Sequence, residues 1–155
     1  MKEIQFVATG KAALVDRALA PIAENEVLTC THYTVISAGT ERANLLDLPN
    51  TFAYGKFPKT EGYSGVGIVE EIGKAVTKVK PGDRVLVYHG THATHSVRPE
   101  THVYPFTNSV SDEQAVFAIV GAMGLGGLRK ARLELGESAM IMGLGLLGIF
   151  ALQCA

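Results

Sequence analysis

The sequence predicts a mainly β fold with some α: a small barrel or sandwich, then a helix and a first βα unit. Three observations predict it. Short strand-like runs punctuated by Gly and Pro fill the first two-thirds of the chain. A helix-capping signal, Ser111-Asp-Glu-Gln114, marks a change of character. A glycine cluster then gathers eight of the 17 glycines between Gly121 and Gly148. The expected division is a barrel domain over 1–115 and a linking helix with the start of a second domain over 116–155.

Each element has its own signal. Lys2–Thr9 and Ala12–Ala18 flank Gly10 as a hairpin. Val27–Ser37 alternates and is rich in threonine, which favours strand over helix, and either face of it suits the core. Thr40–Asp47 has room for one or two helical turns. Gly62–Glu71 and Arg84–Tyr88 read as strands, with Pro81-Gly82-Asp83 as turn chemistry between them. A helix is expected from Ser111 to about Arg132, weakened by Gly121, Gly124, Gly126 and Gly127, with Gly136 as its stop. Ser138–Met142 has the length and apolarity of a buried strand.

Composition excludes several functions. The chain has 155 residues, 47% of them apolar and 19% charged, so it has the apolar surface that disordered chains lack. Fourteen basic and 15 acidic side chains leave a formal charge of −1 with no basic block, against nucleic acid as a partner. Ala139–Leu152 is apolar but short of the ~20 residues a spanning helix needs, so no membrane partner is expected. Two isolated cysteines, Cys30 and Cys154, and a polar N-terminus point to a reducing, cytoplasmic setting.

Gly143-Leu-Gly145-Leu-Leu-Gly148 is a G-x-G-x-x-G between a strand-like run and an apolar helix pattern. The first glycine permits a tight turn, the second lets backbone approach a pyrophosphate, and the third lets helix and strand pack closely. Gly143, Gly145, Leu146, Leu147 and Gly148 are therefore the candidate cofactor-binding residues, for NAD or NADP. The acidic residue that would hold the ribose is expected ~20 residues further on, beyond Ala155. The chain is accordingly expected to be part of a longer protein, binding cofactor weakly or not at all by itself.

The order of Ser37-Ala-Gly-Thr-Glu41, Gly62-Tyr-Ser-Gly-Val-Gly67, Ile68-Val-Glu-Glu-Ile-Gly73, Val79-Lys-Pro-Gly-Asp-Arg-Val85 and the Gly143 fingerprint resembles the medium-chain dehydrogenase/reductase superfamily, whose best-known members are zinc-type alcohol dehydrogenases. The resemblance implies a GroES-like partly open β-barrel followed by a helix and the first βα unit of a truncated Rossmann domain. It implies NAD(P)-dependent oxidoreduction of a small molecule by a protein roughly twice this length, with a homo-oligomer as the expected assembly.

The departures from the zinc pattern are specific. Ala38 stands where zinc members carry a Cys ligand, and Tyr63 where they carry a His. No residue from Val116 to Arg132 supplies a third. Catalytic zinc needs three protein ligands, so no metal site is expected there. His89, His92 and His95 are spaced by three, which does not converge on a strand; His32 and His102 fall in strand-like runs and read as structural.

Without zinc, hydrogen bonds must stabilise the substrate oxyanion. Tyr63 and Thr40 are the candidate catalytic residues, Tyr63 donating to the substrate oxygen and Thr40 assisting. The competing readings are Tyr63 as a packed aromatic, Thr40 as a helix N-cap and Glu41 as a surface or supporting carboxylate. The expected reaction is hydride transfer to or from a secondary alcohol or ketone. Reduction of an activated C=C bond and a non-catalytic isolated barrel are the alternatives.

Overall fold

The computed structural model describes residues 1–51 and 53–155, which divide into two compact units, Met1–Val116 and Phe117–Ala155. The first unit is a curled antiparallel sheet, a half-barrel. β1 (Lys2–Ala8), β2 (Lys11–Asp16) and β4 (Lys59–Thr60) form one sheet in the order β2-β1-β4. β3 (Glu26–Thr34), β5 (Ser64–Ile72), β6 (Arg84–Tyr88), β7 (His95–Pro99) and β8 (Val103–Pro105) form the other, ordered β7-β3-β5-β6-β8. Ile4 donates to the His92 carbonyl and Thr94 to that of Lys2, lacing the two sheets together.

The turns follow from their sequences. Asp83 Oδ2 accepts from the Lys80 amide at 2.9 Å, and Gly82 takes the left-handed conformation that lets β6 start. β3 and β5 pair Leu28 with Glu71 and Thr29 with Val69, which leaves Glu70 as the extra residue of a bulge. The core is built from valines: Val27, Val69, Val76, Val79, Val85, Val87 and Val103, with Ile72 packed against them.

α1 (Ala38–Leu45) follows β3, as the Thr40–Asp47 pattern suggests. The expected helix from Ser111 is two helices. α2 (Asp112–Ala115) carries the predicted capping box, Ser111 Oγ accepting from the Gln114 amide at 3.3 Å. The chain breaks at Val116 and Phe117 before α3 (Ala118–Ala131). The start of α2 is pinned to the sheet, since Arg84 on β6 donates to Asp112, its first residue, at 2.5 Å and also to the Val110 carbonyl.

In the second unit, α3 runs through all four of its glycines and ends at a left-handed Arg132, ahead of the expected stop at Gly136. α4 (Leu146–Cys154) packs on it, the Phe117 and Phe150 rings 6.2 Å apart. Gly124 permits that approach, because a Cβ there would lie 2.9 Å from the Ala151 amide nitrogen. The strand expected at Ser138–Met142 is not formed among the described residues. A strand exists only by pairing its amides and carbonyls, no described segment pairs with this one, and Met140 and Met142 are 81% and 86% exposed. Among the described residues, no helix is long and apolar enough to cross a membrane.

Val85 is fully buried in the valine cluster. Val85→Ala removes two methyl groups that stiff neighbours cannot replace, and is expected to lower stability by about 2–3 kcal/mol, read as a fall in the urea midpoint at unchanged slope.

Candidate functional site

The site begins at the first turn of α1. Ser37 is its N-cap residue, yet its side chain caps nothing. The helix is instead stabilised from within: Glu41 Oε1 accepts from the Ser37 amide at 2.7 Å, placing a carboxylate against the positive end of the helix. This turns Glu41 inward, where it is buried, and its other oxygen meets His92 Nε2 at 2.9 Å. His92 Nδ1 lies 2.7 Å from Thr34 Oγ1. An ionised carboxylate only accepts, so Nε2 carries a hydrogen; Nδ1 then accepts from the Thr34 hydroxyl in the neutral ring and donates to it in the charged one. The result is a buried chain, Thr34–His92–Glu41, able to pass or hold one proton.

A second layer supports it. Asn44, one turn along α1, donates to Glu61 Oε2 at 3.0 Å, and Lys59 donates to the Asn44 carbonyl and pairs with Asp47 at 2.7 Å. A cleft of about 670 Å³ opens over the first layer, its lining including Thr34, Ile36, Ala38, Glu41, Arg42 and His92.

Neither predicted catalytic residue, Tyr63 nor Thr40, is among the residues that line this cleft, but the segment that carries Tyr63 runs beside the one that carries His92. The His89 amide donates to the Tyr63 carbonyl at 2.8 Å and the His92 amide to the Glu61 carbonyl at 3.0 Å, so residues 61–63 and 89–92 run side by side. Tyr63 is half-buried, and its hydroxyl has no hydrogen-bonding partner among the described residues. Thr40 is exposed within α1. It is not the N-cap, a position that belongs to Ser37. Ser64 is fully buried and donates to the Val116 carbonyl at 2.6 Å, which makes it a structural pin.

The glutamate read as a surface or supporting group is thus the centre of the network, and its histidine partner lies in the series that spacing alone left unassigned. The three histidines do diverge: His92 faces α1, His89 stacks near Tyr88 and His102, and His95 faces Glu70. Only His95 lies on a strand. His102 sits in a 3₁₀ turn rather than a strand, and His32 on β3 meets Asp112 Oδ2 at 2.9 Å. Ala38 has no donor atom. Among the described residues, no group of three His, Cys, Asp or Glu ligands converges at residues 38 and 63.

In the second unit the glycine fingerprint forms a turn into a helix. Gly143 has φ +91°, and a Cβ on Gly148 would overlap the Gly143 carbonyl oxygen, so the turn closes only with glycine at both places. Gly145 is extended, and the space beside its Cα is open. Ile149 makes the first helical hydrogen bond, to the Gly145 carbonyl at 2.9 Å, which leaves the amides of Leu146, Leu147 and Gly148 ahead of the ladder. An open backbone beside free amides suits a phosphate group.

Residues 25–133 match the family described as alcohol dehydrogenase GroES-like domain. The chain is 31% identical over 143 residues to an acryloyl-coenzyme A reductase of Metallosphaera sedula, covering 72% of this chain and 43% of that protein. Among solved structures it is similar to zinc-dependent alcohol dehydrogenase 2 of Streptococcus pneumonia, with 25% identity and a TM-score of 0.82 over 99% of this chain and 52% of that one. It is also similar to a quinone oxidoreductase of Pseudomonas syringae pv. Tomato, with 26% identity and a TM-score of 0.74 over 88% of this chain and 43% of that one. The chain therefore spans about half the length of these relatives.

Burial pushes the Glu61 carboxyl above its ordinary 4.5; the Asn44 hydrogen bond opposes this, the Glu41 charge adds to it, and Lys59 and His92 oppose it. The folded state thus holds this proton more tightly than the unfolded one. The stabilisation is fully present below pH 4.5 and is lost as pH rises through the folded value. Glu61→Gln keeps an acceptor for Asn44 without a charge to bury. Its urea midpoint is expected to decline less than that of the wild type as pH rises from 4.5 to 7.

Proposed function

The chain belongs to the alcohol dehydrogenase GroES-like domain family, and from that premise we propose that it is the substrate-binding part of an NAD(P)-dependent oxidoreductase acting on a secondary alcohol or ketone without catalytic zinc. The observation that carries the reading is the pairing of an emptied ligand set with an intact polar chain. By the motif resemblance Ala38 and Tyr63 fall where zinc members carry ligands, while Thr34, His92 and Glu41 form a hydrogen-bonded chain on the cleft that Ala38 lines.

In this reading Tyr63 donates its unengaged hydroxyl to the substrate oxygen. Thr40, exposed on the same turn of α1 that carries Glu41, assists. His92, backed by Glu41, holds the proton that the substrate oxygen gains or loses, and the Thr34 hydroxyl passes it. The amides of Leu146, Leu147 and Gly148, beside the open backbone at Gly143 and Gly145, would hold the pyrophosphate of NAD or NADP. When bound, that cofactor supplies or accepts the hydride.

A second reading is favoured by one finding, the 31% identity to an acryloyl-coenzyme A reductase. Reduction of an activated C=C bond would use Tyr63 in the same way, protonating the carbon or enolate oxygen after hydride arrives.

Single-turnover hydride transfer in the full-length protein distinguishes these readings when ketones and acryloyl-coenzyme A are offered in parallel. Tyr63→Phe is expected to slow transfer to the preferred substrate by about 10²-fold. An unchanged rate removes Tyr63 from the chemistry. A stoichiometric metal lost on mutation of Tyr63 overturns the zinc-free reading.

A further inference from the structure

On the outer face of the five-stranded sheet, three side chains of unlike chemistry converge. Cys30 lies on β3, directly opposite His95 on β7, so the two share a face. Glu70 is the extra residue of the β5 bulge beside Thr29. The ligand atoms of Cys30, Glu70 and His95 all lie within 4.8 Å of one another. None of the three takes part in the cleft or its hydrogen-bonded chain.

We propose that Cys30, Glu70 and His95 form a binding site for one divalent transition-metal ion of the zinc class. A thiolate, an imidazole and a carboxylate form a borderline-soft ligand set that suits such an ion and leaves a fourth position for water. The geometry agrees. His95 Nε2 and Glu70 Oε2 are 3.5 Å apart, beyond the roughly 2.7–2.9 Å of a charge-assisted hydrogen bond. That separation falls in the roughly 3.3–3.8 Å expected between ligand atoms of a tetrahedral site.

The orientation of the ring is also set. His95 Nδ1 lies 3.0 Å from Thr94 Oγ1, which in turn accepts from the Lys2 amide at 3.1 Å. Nδ1–H donating to Thr94 leaves the Nε2 lone pair facing Glu70 and Cys30, the arrangement in which an outer hydrogen bond fixes the ligating tautomer. Cys30 and His95 are half-buried and Glu70 is exposed, so the ion enters from solvent on the Glu70 side.

The test is titration of the purified protein with Co²⁺, followed by the thiolate-to-cobalt charge-transfer absorption and by displacement with Zn²⁺. The expected result is one equivalent bound with that band present, the band lost in Cys30→Ser and kept in Cys154→Ser. His95→Gln is expected to weaken binding at least tenfold, and Thr94→Val by about 10–100-fold. Circular dichroism checks each variant; Glu70→Gln, at the exposed bulge, serves if Cys30→Ser fails to fold, and is expected to weaken binding at least tenfold. Absence of the thiolate band, its survival in Cys30→Ser, or unchanged affinity in His95→Gln or Glu70→Gln overturns the proposal.

Discussion

Glu41 is buried at the start of α1, where an uncompensated charge would cost several kcal/mol to desolvate. Its two oxygens are satisfied by groups from different parts of the chain, the Ser37 amide and the His92 ring. Satisfying the first fixes where α1 begins. Satisfying the second fixes the loop before β7, and through that loop the seam between the sheets, because His92 also accepts from Ile4 and donates to Glu61 through its backbone. Removing one member of such a buried pair typically costs about 3–5 kcal/mol. One carboxylate thus sets helix onset, loop position and sheet closure together.

The same constraint prepares the cleft. A histidine held at both ring nitrogens has a defined orientation, so whatever enters the cleft meets a fixed hydrogen-bonding surface rather than a rotating ring. The layer behind it is less complete: Asn44 Oδ1 is buried without a partner among the described residues. That orphaned acceptor lies next to Glu61, whose carboxyl burial already pushes toward its neutral form. Polarity in this region is concentrated where the cleft needs it and thinly satisfied one shell further in.

Local signals were legible in the sequence and long-range ones were not. The Gly10 hairpin, the Arg84–Tyr88 strand, the Pro81-Gly82-Asp83 turn and the Ser111 capping box each rest on neighbours within a few residues, and each is found. The family assignment was legible for a related reason, since its motifs are short and ordered. β4 is only two residues long and exists because β1 offers it an edge. The Ser138–Met142 run shows the converse: apolar pattern and length were right for a strand, but no described neighbour completes its ladder. At the site, Glu41 and His92 are 51 residues apart, so nothing in spacing joins them. The nearest hint was a glutamate four residues beyond Ser37, the separation at which a carboxylate reaches back to its own helix start.

The valine core carries a consequence for how the half-barrel orders itself. A β-branched side chain in a strand already has few χ1 rotamers open to it, so enclosing one forfeits less torsional freedom than enclosing Met or Leu would. A small sheet can therefore solidify around modest apolar volume. The same stiffness denies it plasticity, because valines cannot stretch or swing to occupy a gap as methionine does. The barrel wall behaves as a rigid mount, and adaptation to different bound molecules falls to parts of the cleft outside the valine cluster, α1 and the 92–94 segment among them.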